Sequence, residues 1–157
     1  MDKTYSIYQK TLFSKHYYVK DEITDVIDIK YKFLPLTGAT AKFDGGTYQL
    51  KSGFLNNKFF VKRIDRESTE EYKIDYPPVG LKASFVLEGK EYTFTPHVVT
   101  KVWNKYSWRD DGDNIYIEYI FNGIKPKKDG QIKVYKDLPE KQKHLLMAVG
   151  LYLIYAR

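Results

Sequence analysis

Seven lysines crowd one stretch of the chain: Lys125, Lys127, Lys128, Lys133, Lys136, Lys141 and Lys143 fall between Ile124 and His144, against Asp129, Asp137 and Glu140. That local excess of four positive charges is most of the formal net charge of +6. Ammonium groups are compact point charges that suit phosphate and anionic surfaces. The run also leads into a predicted helix. A helix start offers free amide hydrogens and a positive dipole end, and both favour a bound anion. The chemistry these seven lysines suggest is recognition of an anionic ligand, either a phosphate-bearing group or an acidic lipid surface. The same residues also fit a hairpin tip and helix start kept basic for solubility.

Two further stretches mix cations with aromatics. In Lys58-Phe59-Phe60-Val61-Lys62-Arg63 a strand would put Lys58, Phe60, Lys62 and Ile64 on one face and Phe59, Val61 and Arg63 on the other, so neither face is purely cationic. That reads as a barrel-wall strand with long amphipathic side chains. Trp103, Tyr106 and Trp108 alternate with Lys101, Lys105 and Arg109. Such a composition fits a single-strand nucleic-acid platform, a membrane-interface rim, or a loop covering one end of a barrel. The structural reading is preferred, so nucleic acid is not an expected partner.

Catalytic and metal chemistry find little support. His16, His97 and His144 lack metal-ligand spacing. No serine stands in a nucleophile-elbow context. Asp110-Asp111-Gly112-Asp113 lacks the alternating oxygens and closing Glu of a calcium loop and reads as a hairpin turn. The absence of cysteine removes thiolate nucleophiles and thiolate metal sites. The chain is therefore expected to be no enzyme and to need no metal or cofactor.

The elements that position these residues are mostly strands. Ile27-Asp28-Ile29-Lys30-Tyr31-Lys32-Phe33 alternates strictly between apolar and charged, as a half-buried strand does. Leu81, Ala83, Phe85 and Leu87 make a similar face, as do Ile115, Ile117, Tyr119 and Phe121, and Ile132 with Val134. Shorter strands are predicted near Tyr5–Gln9, His16–Lys20, Thr47–Lys51, Lys58–Ile64, Glu71–Asp75, Glu91–Phe94 and Val98–Trp103. Turn chemistry separates them at Asp44-Gly45-Gly46, Glu88-Gly89-Lys90, Asp111-Gly112-Asp113 and Asn122-Gly123. The hairpins Ala41–Leu50 and Ala83–Phe94 echo each other, running small, aromatic, turn glycine, Tyr, then apolar.

The C-terminal stretch Leu145–Ala156 carries no charge at all. A helix apolar on every side must be wrapped by protein or lipid. Twelve residues at ~1.5 Å each span only about 18 Å, and a bilayer needs roughly 20 apolar residues. Protein is the expected wrapping, and a lipid-embedded tail is the alternative. Asp137, Pro139 and Glu140 mark the helix start, as cap, first-turn proline and dipole partner. A barrel of this strand number is too wide for its own side chains to fill, and a dry helix can fill it.

The expected fold is mainly β: an antiparallel barrel of about twelve strands over residues 4–136, closed around a central hydrophobic helix over 138–156. Nothing in composition divides the 157 residues, so one domain is expected. The 15 tyrosines suit strands, with rings on the sheet and hydroxyls in water. The start Met-Asp-Lys-Thr-Tyr-Ser has no apolar run behind a basic segment, which reads as no secretory signal. The expected location is cytoplasmic, peripheral to a membrane if the lysines meet lipid.

With these features the chain resembles the tubby-like superfamily, which comprises the tubby C-terminal domain, the phospholipid scramblases and the LURP-one-related proteins. It is most similar to uncharacterised bacterial members. The resemblance rests on the terminal helix Leu145–Tyr155, the hairpins Ala41–Leu50 and Ala83–Phe94, and the late hairpin from Gly123 to Val134. It implies a twelve-stranded barrel around a hydrophobic helix. In eukaryotic tubby proteins that fold binds phosphoinositide head groups through basic residues, and that site is not carried over residue by residue onto this chain's lysines. The cysteine-rich segments and calcium motif of the scramblases are missing here, so their activity is not carried over.

The function expected from the sequence is a non-enzymatic binding module that recognises an anionic partner, first an acidic lipid surface, at a basic end. The alternative is a protein-interaction scaffold without a small ligand, signalled by an exposed aromatic patch near Trp103–Trp108.

Overall fold

A computed structural model describes residues 3–9, 15–31, 38–52, 58–67, 70–75, 82–98, 103–122 and 130–155. Period-two alternation dominates these segments, and they form twelve strands and one helix. The strands are β1 (Lys3–Gln9), β2 (His16–Lys20), β3 (Asp25–Tyr31), β4 (Ala39–Phe43), β5 (Gly46–Ser52), β6 (Lys58–Arg63), β7 (Glu71–Asp75), β8 (Ala83–Leu87), β9 (Lys90–Val98), β10 (Trp103–Arg109), β11 (Ile115–Asn122) and β12 (Gly130–Val134). The helix α1 covers Glu140–Tyr155. Each strand pairs antiparallel with the next, and β1 pairs with β12 to close the barrel. Closure leaves no free sheet edge.

One residue in two points inward, and these rows form the core. Ile27, Ile29 and Tyr31 of β3, Phe85 and Leu87 of β8, and Ile117, Tyr119 and Phe121 of β11 are all buried. Lys30 and Lys42, on the outward register, are exposed.

The helix runs through the middle of this wall. From Lys143 to Ile154 every residue is buried. A helix that greasy finds apolar side chains on all sides, and its backbone satisfies its own hydrogen bonds. Three barrel side chains nevertheless donate to its carbonyls. The Tyr119 hydroxyl lies 2.9 Å from Leu146 O and 3.0 Å from Met147 O, Trp108 Nε1 lies 2.8 Å from Leu146 O, and the Tyr31 hydroxyl lies 2.6 Å from Leu151 O. Some of the tyrosines expected to keep their hydroxyls wet instead point them inward.

The two echoing hairpins share a turn. Asp44 and Gly45 have φ of 51° and 72°, and Glu88 and Gly89 have φ of 50° and 76°. Positive φ at both central residues is the two-residue turn that matches strand twist. Anchoring on these turns aligns Tyr48 with Tyr92, both buried, and Ala41 with Phe85 rather than with Ala83.

Several expected boundaries differ. β9 runs unbroken from Lys90 to Val98, where separate pieces were expected. Trp103–Arg109 is a wall strand rather than a loop over the barrel end. Its alternation places Trp108 fully inside and Tyr106 against the core, while Lys105 and Arg109 face outward in part. Helix α1 begins at Glu140, and the Pro139 carbonyl accepts the Lys143 amide at 3.0 Å. Pro139 is thus the flanking residue and not part of the first turn.

Candidate functional site

Alternating strand direction sends successive turns to opposite ends of the barrel. The helix start marks the proximal rim, where it meets Asp44 and Glu70. The described turn residues there are Asp21–Thr24, Asp44-Gly45, 64–67 with Glu70, Glu88-Gly89, Asp110–Asn114 and 135–139. They carry Asp21, Glu22, Asp44, Asp65, Glu67, Glu70, Glu88, Asp110, Asp111, Asp113 and Asp137, with Arg66 and Lys136 as their cations. The barrel half furthest from this rim is basic. There the described charges are Lys15, Lys30, Lys51, Lys58, Lys73, Lys82 and Lys105, with Asp75 as the acid.

Four of the seven lysines of the sequence cluster, Lys133, Lys136, Lys141 and Lys143, lie among the described residues. β12 crosses the wall between Gly130 and Val134, and the residues after it emerge at the proximal rim. Lys125, Lys127 and Lys128 lie outside the described residues. Lys133 sits on the outer face of β12, opposite Glu118 of β11 and Thr4 of β1. Lys136 is exposed at the proximal rim.

The two helical lysines already have anions. The Lys141 ammonium ion-pairs with Glu70. Glu70 also accepts from the Tyr72 hydroxyl at 2.9 Å. Burial pushes the Glu70 carboxyl up, but Lys141 and Tyr72 outweigh it and hold the group below the ordinary glutamate value. Lys143 is buried and donates to Glu140 at 2.6 Å, with its ammonium 5.7 Å from the centre of the Tyr5 ring. Burial works against the Lys143 charge, and Glu140 raises its pKa in spite of that. Glu140 is in turn held low by Lys143. His144 Nδ1 lies 2.8 Å from Asp44 Oδ1 on the β4–β5 turn. The anions that the sequence invited to the helix start are thus supplied from within the chain by Glu70, Glu140 and Asp44.

A groove of about 740 Å³ opens beside this helix start. Lys3, Lys136 and Lys143 face Asp21, Glu22, Asp137 and Glu140 across it, so its charges nearly balance. Ile23, which is 84% exposed, lies on its lip. The aromatic patch sought near Trp103–Trp108 is not a surface at Trp108, which is 0% exposed.

His16 Nε2 hydrogen-bonds with Asp28, and the Tyr18 hydroxyl lies 3.3 Å from His16 Nδ1 on the outer wall. Among the described residues no group of three or more His, Asp or Glu could hold a metal. Arg109 ion-pairs with Asp113 within the β10–β11 turn, and the Asp110 carboxylate accepts from the Asn114 amide. Among the described residues no helix is long and apolar enough to cross a membrane.

No family model, curated protein or solved structure matches this chain.

Proposed function

We propose that the barrel is a non-enzymatic binding module whose basic distal end meets an anionic partner, an acidic lipid surface first. One observation carries this reading: the described part of the distal half holds seven lysines against Asp75, whereas the proximal half mixes its many acids with Lys and Arg. A molecule polarised in this way orients its basic end toward a negative surface before contact.

The sequence between the distal strand ends supports the same direction. It holds Lys125, Lys127 and Lys128 between β11 and β12, and the apolar pairs Leu12-Phe13, Phe33-Leu34 and Phe54-Leu55 between other strands. Lysines with interspersed apolar residues are the composition that membrane interfaces favour. A barrel around a hydrophobic helix is also the architecture implied by resemblance to the tubby-like superfamily, and membership in it is part of this proposal. A peripheral place on a cytoplasmic membrane face follows from it.

Co-sedimentation with vesicles tests the proposal. Phosphatidylcholine vesicles should leave the protein in solution, and vesicles with added phosphatidylserine should sediment it. Replacing Lys125, Lys127 and Lys128 together by Gln should weaken partition roughly a hundredfold, at about 1 kcal/mol per lysine. Equal binding to both vesicles, or no loss in the triple variant, would overturn it.

The scaffold alternative draws on the proximal rim, where Ile23 and Ile64 are 84% and 48% exposed. It predicts that a partner protein is lost on Ile23→Lys while vesicle binding stays.

A further inference from the structure

The groove at the proximal rim keeps opposite charges apart. Lys3 and Lys136 line it as exposed cations, and Asp21, Glu22 and Asp137 line it as acids. Among the described residues none of these five joins an ion pair. Asp21 Oδ1 instead accepts the amides of Ile23 and Thr24, both at 2.8 Å, within its own turn. The groove therefore shows both signs of charge to a molecule that enters it.

One further cation is built into the wall. The Lys143 side chain is 9% exposed, and its ammonium is held by Glu140, whose side chain is 69% exposed. The second Glu140 oxygen lies 3.4 Å from His144 Nε2. Tyr5 gives two of the cations a common base, with the Lys3 and Lys143 ammonium groups 5.1 and 5.7 Å from the centre of its ring. Two positive groups gathered on one ring make a place for a carboxylate. Glu140 fills that place from outside. An exposed carboxylate gains little from such a pair and can turn into solvent. The buried ammonium is fixed and needs an anion. Glu140 is thus an exchangeable partner for a permanent cation.

We infer that this groove binds a zwitterion, an α-amino acid or a short peptide with free termini. The ligand carboxylate replaces Glu140 between Lys143 and Lys3, and the ligand ammonium meets Asp21, Glu22 or Asp137. A simple anion entering the groove faces three acids, and a simple cation faces the lysines. A ligand carrying both signs meets each set without repulsion. Ile23, Val134 and Leu138 add apolar surface for an aliphatic side chain. Ile23, 84% exposed, leaves water when the groove is filled. The volume of about 740 Å³ suits a small ligand, for which clefts run roughly 300–1,000 Å³. The groove lies at the opposite end of the barrel from the distal lysines, and its ligand is independent of the anionic-partner reading.

The experiment follows backbone amide resonances of the full chain by NMR during titration with the tripeptide Ala-Leu-Ala and, separately, with free leucine. Saturable shifts over Asp21–Thr24 and Lys136–Leu138 are expected. Blocking either end of the tripeptide, by acetylating its amine or amidating its carboxylate, should weaken binding roughly tenfold. Lys3→Gln with Glu22→Gln should weaken it to a similar extent. The control pair Lys30→Gln with Asp75→Asn removes one charge of each sign elsewhere and should leave binding unchanged.

Glu140→Gln gives a readout that a structural role would not. It removes the competing carboxylate, so the free tripeptide should bind roughly two- to fivefold tighter, the worth of one exposed pair. The amidated tripeptide should show no such gain. No saturable shift with either probe, equal affinity for free and blocked peptides, or weaker binding in Glu140→Gln overturns the site. Leucine binding as tightly as the tripeptide identifies an amino acid as the ligand, and preference for the tripeptide identifies a peptide. Vesicle partition should be the same with and without the tripeptide, so failure of this site leaves the distal-end reading in place.

Discussion

The Tyr119 hydroxyl lies where the side chain of Gly150 would begin: a β-carbon built on Gly150 falls 2.1 Å from that oxygen and 2.4 Å from Cζ of the ring. Strand β11 and the helix approach this closely because the glycine has no side chain. The contact lets one hydroxyl reach the carbonyls of both Leu146 and Met147.

Gly150→Ala is the first prediction. In a free helix this change stabilises by roughly 0.5–1 kcal/mol. Here the ring must move within a filled core, at a cost of about 1–3 kcal/mol. A net fall in stability on urea unfolding is expected, and a gain would refute the contact. Tyr119→Phe keeps the ring and loses the hydroxyl bonds. Trp108 still donates to Leu146 O, so that loss should be near 1 kcal/mol.

The helix is the second test. Leu151 is 0% exposed at the centre of the barrel. Leu151→Ala should cost about 2–5 kcal/mol, the range for a buried leucine truncated in a tight core. A chain ending before Leu138 removes the whole plug and should lose cooperative thermal unfolding and near-ultraviolet dichroism. A truncated chain that unfolded as one sharp transition would contradict the wrapped-helix architecture.

Glu70 and Lys141 should prove unequal partners. Lys141 is half exposed, and an exposed pair contributes at most about 1 kcal/mol, so Lys141→Met should cost little. Glu70 also accepts from Tyr72 and ion-pairs with Arg63, and it is mostly buried. Glu70→Gln should cost about 1–3 kcal/mol, because several groups lose one acceptor together. A double-mutant cycle on the two sites checks the asymmetry.

Acid should loosen the proximal rim before the rest. Arg63 holds the Asp65 carboxyl down at about 2. Lys143 lowers Glu140, and the backbone amides of Thr24 and Ile23 lower Asp21. A carboxylate with a depressed folded pKa stabilises above its unfolded value, near 4, and that stability goes as pH falls through the folded value. Tm should therefore be level from pH 7 to about 5 and fall between about 4 and 2. Asp65→Asn with Glu140→Gln should flatten that acid slope in a circular-dichroism melt series.

Much of the barrel was legible in the residues. Alternation in Ile27–Tyr31 and Ile115–Phe121 marks half-buried strands because side chains on a strand switch faces at every residue. Asp44-Gly45 and Gly89 mark hairpins because Asp and Gly tolerate positive φ, and Glu88 takes it up beside Gly89. β10 was harder to read. The Trp103–Arg109 stretch interleaves rings with cations, and composition does not say which way a ring points. Burial of Trp108 depends on its neighbours Phe94 and Phe85, at ring separations of 5.0 and 6.2 Å.

The candidate site was legible only in part. Within the lysine run, Lys133 sits on the outer face of β12, and Lys141 and Lys143 at the helix start find Glu70 and Glu140, which the local sequence does not rank among its many acids. The tyrosine tethers to the helix carry no local signal, since Tyr31 and Leu151 are 120 positions apart.

The sequence alone determined that sheet would surround a helix. A charge-free tail needs wrapping, and alternating strands have one apolar face to wrap it with, so both requirements are local. Which charges would meet was decided by the closed barrel. Asp44 reaches His144 across 100 positions, and Glu70 reaches Lys141, because antiparallel closure sorts the turns into two rims and seats the helix start at one. Electrostatic pairing depends on distance in space, and only the complete ring of strands sets those distances.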